Sequence, residues 1–563
     1  MKLRFCLLLI LALVVFGAHA QGTAPNDWFN LDLTADGYPG LSTNKTYKEL
    51  LKDKKGQTVV VAIIDSGVDY EHEDLNMWVN TDEVPDNGID DDNNGYVDDI
   101  HGWSFLGNKN GENVEHDNLE MTRLYAKYKD KFEGVNPEDL KKKERKKYEQ
   151  YKEWGEQIEK KKEALPSEIA LHGATLEAFK TVVAALKKEP DEVTKEDFRK
   201  LNDSTTDPYV KHVSGALLGI MEQEEGVSFG QIYHEVEAYY EYLYNQLNYH
   251  YNPDFNSRKI VGDDYSDPTE SGYGNNDVRG PDAEHGTHVA GIVAAIRGND
   301  VGMKGVADNV QIMAVRTVPD GDERDKDVAN AIRYAVDNGA SVINMSFGKG
   351  YSPYKEVVDK AVKYAMKNDV VLVHGSGNES QDVSVEKKYP NDKFDKRGLF
   401  GPKYAENWIE VGAINWKLGE ELTAPFSNYS TDYVDVFAPG MEIYSTVPFD
   451  EYKNNQGTSM ASPMVAGLAA MLRSYFPALT AEQVKSIIMQ SAVKQKGKVQ
   501  LPGSEDELVS FNRLCVTGGI VNAYEAVKLA MNTKGKKKIK TGAVDSAKGN
   551  GKEKADKKET VTP

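Results

Sequence analysis

The sequence has little cysteine, with only Cys6 and Cys515 among its 563 residues. Residues 1–20 have the form of a secretion signal, since a basic start is followed by a twelve-residue apolar run and a small-x-small ending. Because Cys6 lies in that predicted signal, the mature protein would hold one cysteine and form no internal disulfide. Its resistance to unfolding must come from another source.

Long apolar runs and positive charge are also scarce. The apolar run of the signal is too short to span a bilayer comfortably, and we expect no membrane span once the signal is removed. The chain has 68 Lys and Arg against 89 Asp and Glu, which gives a formal net charge of −21. This acidity argues against nucleic acid as a partner. We therefore predict a secreted protein, in the periplasm or the medium, whose oligomeric state is unknown.

Alternating strand and helix patterns predict the fold class. The stretch Thr58–Ile64 is β-branched and apolar, as expected of a strand that is buried on both faces of a parallel sheet. Helical patterns such as Asp327–Asn338 lie between further runs of this kind. This alternation predicts a doubly wound, mainly parallel α/β fold. The further runs are Val310–Val315, Ser341–Met345, Val370–Val373 and Trp408–Ala413.

A segment of different character interrupts the α/β pattern. Residues 115–255 contain Lys/Glu-rich runs with apolar residues at helical spacing, which predicts a large α-helical insertion. Near its end lies a stripe of tyrosines at 239, 240, 242 and 244, a pattern more typical of a bundle core than of a binding surface. The predicted parts are a signal (1–20), an N-terminal leader (21–57), the first part of the α/β domain (58–114), the insertion (115–255), the second part of the α/β domain (256–532) and a disordered basic tail (533–563).

Three polar motifs could carry chemistry. Asp65 directly follows the first predicted strand, where open α/β sheets place their sites, although an Asp here could simply cap a turn. His285 and His288 begin an apolar helix; their spacing could suit a metal pair, but no His-Glu-x-x-His arrangement or third ligand set is apparent. Ser459 lies at a helix amino terminus, where free N–H groups can hold an anion, or where a serine is only an N-cap.

Together these motifs closely resemble the subtilisin-like serine peptidases of family S8. That family has Asp, His and Ser in this chain order, in the motifs Asp-Ser/Thr-Gly, His-Gly-Thr-His-Val-Ala-Gly and Gly-Thr-Ser-Met-Ala-Ser-Pro, and all three match here without a substitution. The resemblance implies a serine endopeptidase acting on protein or peptide substrates, with no cofactor in the chemistry. It assigns Ser459 as nucleophile, His285 as its base and Asp65 as the group that fixes the imidazole, and it leaves His288 a structural role.

The resemblance extends to the oxyanion hole and the specificity pocket. Asn378 follows a buried strand and a Gly/Ser turn as the family's oxyanion-binding asparagine does; the alternative is a turn-forming Asn. Two glycine-containing segments resemble the pocket walls, where glycine lets a substrate chain approach the backbone. The family more commonly has Leu at the position of Phe347, and we expect a preference for large apolar or aromatic side chains. The predicted wall residues are Ser346, Phe347, Gly348, Gly375, Ser376 and Gly377.

An acidic loop at 86–99 predicts bound calcium. Its oxygen-bearing side chains alternate around a glycine, as a calcium loop requires, but it lacks the twelfth-position Glu of an EF-hand; the alternative is an acidic surface turn. Asp74 additionally matches a calcium-binding aspartate of many subtilisins. We predict structural calcium, with ligands among Asp74, Asp90, Asp92, Asn94, Tyr96 and Asp98.

Two features depart from the family pattern. Most secreted subtilisins begin with an inhibitory prodomain, whereas the leader predicted here is too short for one, which leaves the maturation route open. The catalytic Asp and His are 220 positions apart, where common family members need only a few tens. We hypothesise that the insertion packs beside the cleft and limits which substrates enter. A catalytically silent scaffold, whose insertion engages a partner, is the alternative class of function.

Overall fold

The computed structural model describes residues 24–223, 226–396 and 401–537. The predicted signal (1–20) and residues 538–563 of the predicted tail lie outside these ranges. Thirteen strands occur in the described ranges. They are β1 (Val59–Asp65), β2 (Gly102–Ser104), β3 (Val310–Arg316), β4 (Val342–Met345), β5 (Val371–Gly375), β6 (Trp408–Ile414), β7 (Val436–Pro439), β8 (Ile443–Val447), β9 (Glu451–Asn455), β10 (Val493–Lys494), β11 (Lys498–Gln500), β12 (Leu508–Ser510) and β13 (Gly519–Ile520).

Nine of these strands form one central sheet in the order β10-β13-β7-β6-β5-β4-β1-β3-β2. All neighbouring pairs are parallel except β10 and β13. The remaining strands form two antiparallel hairpins, β8–β9 and β11–β12. The strands predicted from β-branched runs are confirmed, and so is the doubly wound, mainly parallel α/β fold.

Fourteen α-helices surround the sheet or extend from it in the described ranges. They are α1 (Leu33–Asp36), α2 (Thr43–Thr46), α3 (Glu120–Phe132), α4 (Lys142–Leu186), α5 (Lys195–Ser204), α6 (Pro208–Gln223), α7 (Phe229–Asn245), α8 (Arg258–Val261), α9 (Glu284–Ala294), α10 (Asp325–Asp337), α11 (Lys355–Lys367), α12 (Thr458–Tyr475), α13 (Ala481–Ser491) and α14 (Ala523–Met531).

The sheet lies between two apolar cores, because successive side chains of a strand point to opposite faces. In β1, Val61 and Ile63 join the core that α9 and α12 cover, whereas Ala62 and Ile64 join the core beneath α10 and α11. Both faces are therefore buried, which explains why β1 is apolar at nearly every position. This arrangement fixes the carboxyl end of β1, where Asp65 lies.

Helices α3 to α7 form the insertion between β2 and β3, and they enclose two separate apolar clusters. The inner cluster contains Phe132 and Trp154, and Tyr351 of the α/β domain packs against it. The outer cluster contains Phe179, Phe198 and residues of α6 and α7. The insertion therefore has a base that packs on the α/β domain and an outer lobe with its own core.

The stripe of four tyrosines at 239, 240, 242 and 244 does not lie in a core as a whole, so that prediction is wrong for three of the four. Tyr239, Tyr242 and Tyr244 are 45%, 52% and 45% exposed, and of the four only Tyr240 packs against the outer cluster. The reason is that α7 buries the other side of the helix, through residues such as Phe229 and Ile232.

One helix of the described residues passes a composition test for a membrane span. Within α4, an 18-residue window has a mean hydropathy of 1.3, and 22% of that window is buried. On length and composition alone, this helix is an exception to the expectation that no segment after the signal could cross a membrane.

Both ends of the insertion meet at one residue of the α/β domain. Asp320 lies just after β3, and its carboxylate is 3.0 Å from His116 Nδ1 and 2.9 Å from His250 Nε2. Asn245 also donates a hydrogen bond to it over 2.8 Å. Burial raises the pKa of Asp320, but the hydrogen bonds from the two histidines outweigh this and hold it well below its usual range. The chain thus leaves the sheet and returns to it at nearly the same place.

Candidate active site

Asp65 ends β1 in the middle of the sheet, between β3 and β4. Its carboxylate is buried, and Oδ1 accepts a 2.8 Å hydrogen bond from the Ser66 backbone N–H. The same oxygen lies 2.6 Å from His285 Nδ1. Within the described ranges, Oδ2 has no hydrogen-bond partner. The aspartate is therefore held by the backbone and points its charge at one imidazole.

His285 is the second residue of α9, and the glycine after it allows the close approach. A Cβ on Gly286 would lie 2.0 Å from the Gly67 carbonyl oxygen and 3.1 Å from Asp65 Cβ. Only glycine lets α9 begin this near the end of β1. The His285 side chain remains 39% exposed, so that its other nitrogen is free to meet a reactant.

The pKa of His285 is raised above the ordinary histidine value of 6.5. Burial by itself lowers this pKa, but the negative charge of Asp65 and the hydrogen bond to it outweigh burial. Asp65 thus stabilises the imidazolium form that a general base must pass through.

His288 has different surroundings from His285, although the two are one helical turn apart. It is fully buried, and its Nε2 lies 2.9 Å from the Ile443 carbonyl oxygen and 3.0 Å from that of Lys453. Burial lowers the pKa of His288 to about 4, so that it is neutral at pH 7 and donates from Nε2 to these oxygens. It ties α9 to the β8–β9 hairpin, which matches the structural role expected for it.

Ser459 is the second residue of α12, and α12 packs against α9. Its Oγ donates a 3.1 Å hydrogen bond to the Ser346 carbonyl oxygen. In the described part of the chain no hydrogen bond joins Ser459 Oγ to His285. The serine therefore rests against the pocket wall rather than against the imidazole. Ser346 Oγ in turn donates to the Ser459 carbonyl oxygen over 2.9 Å, which ties the wall to the start of the helix.

Asn378 presents its amide nitrogen to the space beside Ser459. Its Oδ1 accepts hydrogen bonds from the Thr458 backbone N–H over 2.9 Å and from Thr458 Oγ1 over 3.0 Å, which fixes the orientation of the amide. A Cβ on Gly457 would lie 3.3 Å from Asn378 Nδ2 and 3.5 Å from the Ser459 backbone N. Gly457 has a φ of 150°, which favours glycine. Two N–H donors therefore converge on a space that glycine leaves open.

All six predicted wall residues line one cavity of 120 Å³ together with Asn378 and Ser459. Three further charged or titratable residues line it that were not predicted: His374, Glu379 and Lys388. Glu379 and Lys388 form a 2.8 Å ion pair, and Glu379 also accepts a 2.6 Å hydrogen bond from Asn428. The pocket is thus more polar than the expected preference for apolar side chains suggests.

His374 gives the pocket a buried histidine–carboxylate pair. Its Nδ1 lies 2.9 Å from Glu410 Oε1, and its Nε2 lies 2.7 Å from the Phe347 carbonyl oxygen. Burial lowers the pKa of His374, but the charge of Glu410 and the hydrogen bond to it outweigh burial and raise it. In sequence, His374 directly precedes the predicted wall at 375–377 and Glu379 directly follows Asn378. This adjacency was a signal that could have predicted both residues in the pocket. Lys388 comes from a separate segment and carried no such signal.

The acidic loop brings three carboxylates together. Oxygen atoms of Glu83, Asp90 and Asp92 lie within 4.8 Å of one another. Asp90 and Asp92 were predicted, whereas Glu83 precedes the loop and was not. Carboxylate oxygens at this spacing repel one another and suit a hard cation such as Ca²⁺. The donor set therefore fits calcium.

The other predicted ligands lie elsewhere or hold the loop itself. Asn94 donates hydrogen bonds to Asp92 and Asp99, and Asp98 accepts from the N–H groups of residues 87 and 88. Tyr96 packs its ring against Trp103 and Tyr334.

Asp74 is fully buried and does not join the three carboxylates. Its carboxylate accepts hydrogen bonds from the Ile296 N–H over 3.1 Å and from Asn299 Nδ2 over 2.7 Å. Tyr452 OH adds a third donor at 3.3 Å. These three donors provide the Asp74 carboxylate with hydrogen bonds, so that its neighbours are N–H and O–H groups and not the other predicted metal ligands.

Comparison with known proteins gives consistent matches. A family model described as the subtilase family matches residues 56–551. The thermophilic serine proteinase of Bacillus sp. (strain AK1) is 40% identical over 224 residues, which cover 39% of this chain and 49% of that protein. Subtilisin DY of Bacillus licheniformis is 37% identical over 211 residues, or 37% of this chain and 70% of that protein. The matched region thus spans about half the length of the first of these relatives.

A solved structure of proteases from Pseudoalteromonas arctica PAMC 21717 aligns with a TM-score of 0.36 and 28% identity, and it covers 46% of this chain and 78% of that one. The family model, by contrast, matches most of the 563 residues. The chain belongs to the subtilase family.

Proposed function

We propose that the protein is a secreted serine endopeptidase that hydrolyses peptide bonds of proteins through an acyl-enzyme intermediate. The observation that carries this proposal is the 2.6 Å contact between His285 Nδ1 and Asp65 Oδ1. Because Asp65 accepts the Nδ1 proton, Nε2 is left as the nitrogen that can take a proton. Membership of the subtilase family and the place of Ser459 at the start of α12 support the same reaction.

In the first step, Ser459 Oγ attacks the scissile carbonyl carbon while His285 Nε2 takes its proton. For this step the serine side chain must leave the Ser346 carbonyl and turn toward the imidazole. The imidazolium then gives its proton to the amine as the C–N bond breaks. Water attacks the resulting ester by the same route and releases the acid product.

The tetrahedral intermediate carries its negative charge on the former carbonyl oxygen. We assign its stabilisation to Asn378 Nδ2 and the Ser459 backbone N–H, because both donors converge on the space above Gly457. Thr458 holds the Asn378 amide in the orientation that points Nδ2 at that space. The donors are thus in place before the charge develops.

We propose that Glu83, Asp90 and Asp92 hold a structural calcium ion. The ion would neutralise three carboxylates that otherwise repel one another. It takes no part in peptide hydrolysis. We retain the predicted signal at 1–20 as part of the proposal of secretion, which an N-terminal sequence of the mature protein would test.

Labelling with a fluorophosphonate tests the proposed enzyme. We expect the wild type to be modified at one serine and Ser459→Ala to be unmodified. Ser204→Ala is the control, since Ser204 is an exposed serine of the insertion and its loss should leave labelling intact. If neither the wild type nor the control is labelled or hydrolyses a peptide library, the chain is a silent scaffold and the proposal fails.

A further inference from the structure

A groove of 820 Å³ runs along the base of the insertion. Its walls are formed by α3 and α4 on one side and by residues 350–353, Gln381 and residues 385–389 of the α/β domain on the other. The base of the insertion therefore packs against the α/β domain along this groove.

The groove adjoins the pocket beside Ser459. Lys388 lines both cavities. On one side the chain passes from the pocket wall at 346–348 directly into the groove wall at 350–353, and on the other from Glu379 to Gln381 and residues 385–389. A polypeptide whose side chain fills the pocket is therefore within reach of this groove.

Lysines dominate the charge of the groove. Lys127, Lys147, Lys387 and Lys388 line it, against the single carboxylate of Glu386. This reverses the sign of a chain whose net charge is −21. A positive surface therefore lies beside the pocket in an acidic protein.

Three of these lysines have no acidic partner. Lys127 Nζ donates to Tyr354 OH over 3.3 Å, and Lys147 Nζ donates to Tyr128 OH over 3.3 Å. Lys387 is exposed. In the ranges that the structure describes, none of the three forms an ion pair, whereas Lys388 pairs with Glu379. The three ammonium groups thus retain donors for an anionic ligand.

We propose that this groove binds acidic side chains of the polypeptide substrate next to the scissile bond, so that the insertion selects substrates with acidic segments. The inference rests on the proposed endopeptidase function and names the substrate class of that site. Charge complementarity supplies the attraction, and the half-buried rings of Tyr128 and Tyr351 line the groove for apolar contact with an extended chain.

Matched fluorogenic peptides test the proposal. A core sequence that the enzyme cleaves is extended on one side or the other by four Glu or by four Gln, and kcat/KM is measured for each. We expect the Glu extension on one side to raise kcat/KM about fivefold at low salt, and the gain to fall below about twofold near 0.5 M salt because the charges are screened.

Two triple variants separate the groove from general surface charge. The variant K127Q/K147Q/K387Q should lower the Glu-to-Gln ratio of kcat/KM toward one. The control K160Q/K162Q/K211Q removes three exposed lysines of the insertion that lie outside the groove, and it should keep the wild-type ratio.

The outcomes distinguish this inference from the proposed function. If the wild type cleaves the Glu and Gln peptides well and equally at low salt, the groove does not select acidic substrates. The proposed endopeptidase function would be unaffected by that result. A ratio that falls equally in both triple variants would also overturn the proposal for the groove, because the preference would then follow net charge. Absence of cleavage and of fluorophosphonate labelling would remove the proposed function itself.

Discussion

At the scale of single residues, the contact between Asp65 and His285 decides the charge state of the site. The aspartate is buried, so its charge acts on the imidazole with little screening by water. The charge of Asp65 raises the pKa of His285, which burial alone would lower. The acidic limit of activity is therefore a direct measure of this one contact.

We predict that kcat/KM falls as the pH drops through the pKa of His285, above the ordinary value of 6.5, because only the neutral imidazole can accept a proton. In Asp65→Asn the raising charge is gone and burial remains, so the acidic limb moves to lower pH. Turnover near pH 8 should fall by roughly 10⁴, since the imidazole loses its tautomer control. A pH series of kcat/KM measures both effects.

Asp69→Asn is the control for this series. Asp69 is the second aspartate of the same motif, but it pairs with Arg279 over 3.0 Å rather than with His285. The acidic limb of kcat/KM in Asp69→Asn should stay at the wild-type pH. An acidic limb that does not move in Asp65→Asn would show that another group sets it.

The sequence predicted those site residues that lie in short contiguous motifs. Asp65, His285 and Ser459 each stand in a motif whose neighbours are also determined by the site, such as Gly286, where a Cβ would clash with the end of β1. Lys388 reaches the pocket from a segment with no motif of its own, and only the fold brings it to Glu379. Contacts of this kind depend on tertiary geometry that local pattern does not contain.

At the scale of secondary structure, a buried charge network joins α3 to the segment after β4. Glu120 Oε2 accepts hydrogen bonds from Arg123 over 2.7 Å and from Lys349 over 2.8 Å, and all three side chains are buried. Burial raises the pKa of Glu120, but the two cations outweigh it and lower the pKa from 4.5 to about 2. The ionised carboxylate therefore stabilises the junction.

We predict that Glu120→Gln lowers the free energy of unfolding by about 3 kcal/mol at pH 7, since it leaves two buried cations with less negative charge. Because the folded pKa is depressed, this contribution is present above pH 4.5 and is lost as the pH falls toward about 2. Denaturant unfolding at pH 7 and near the pKa of about 2 measures the difference in free energy of unfolding between Glu120→Gln and the parent protein. Both proteins carry Ser459→Ala, which prevents self-digestion.

Glu144→Gln serves as the control for this measurement. Glu144 pairs with Lys131 on the surface of the insertion, and both side chains are exposed. We expect no measurable change in stability from it. A similar decrease in the free energy of unfolding in both variants would show that the buried network at the junction stabilises the protein no more than a surface ion pair does.

The acidic loop gives a second prediction at this scale. Chelation of calcium should lower the melting temperature, and Glu83→Gln should weaken the response because it removes one of the three converging carboxylates. Glu112→Gln, an exposed acid outside the loop, should respond to chelator as the wild type does. A melting temperature that is unaffected by calcium in all variants would refute the site.

Helix faces were harder to predict than helices. The apolar spacing indicated helices in the insertion. In the structure Thr194 and Ser228 each begin one of these helices with a capping box. The exposed side of α7 could not be predicted, because two sides of that helix carry large residues. Packing against the outer cluster selects the side with Phe229 and leaves Tyr242 in solvent.

At the scale of the whole molecule, the insertion has an outer lobe that is separate from its base. The outer cluster shares no residue with the cluster that contacts the α/β domain. Gly173 of α4 lies beside Tyr240 of α7, where an added Cβ would be 3.0 Å from the ring. A short linker can therefore join the two helices there and remove the lobe without disturbing the base.

We predict that replacing residues 174–239 by a short Gly/Ser linker raises hydrolysis of a folded protein substrate relative to that of a short peptide. The reason is steric, since the lobe rises from helices that wall the groove beside the pocket. Both rates are measured on the same preparation, and circular dichroism checks that the α/β domain is folded. Unchanged relative rates would show that the lobe does not limit access.

The contacts of His116 and His250 with the carboxylate of Asp320 hold the two ends of the insertion together, which affects how the chain folds. The two histidines are 134 positions apart in the sequence but contact the same residue, so for the sheet the segment between them is a single closed loop. Loop-closure entropy grows only with the logarithm of length, and this excursion costs about 2 kcal/mol more than a loop of about twenty residues. Strands β2 and β3 can pair at that modest cost whatever the loop contains. The register of the central sheet is thereby separated from the insertion, whose two ends are held at one residue.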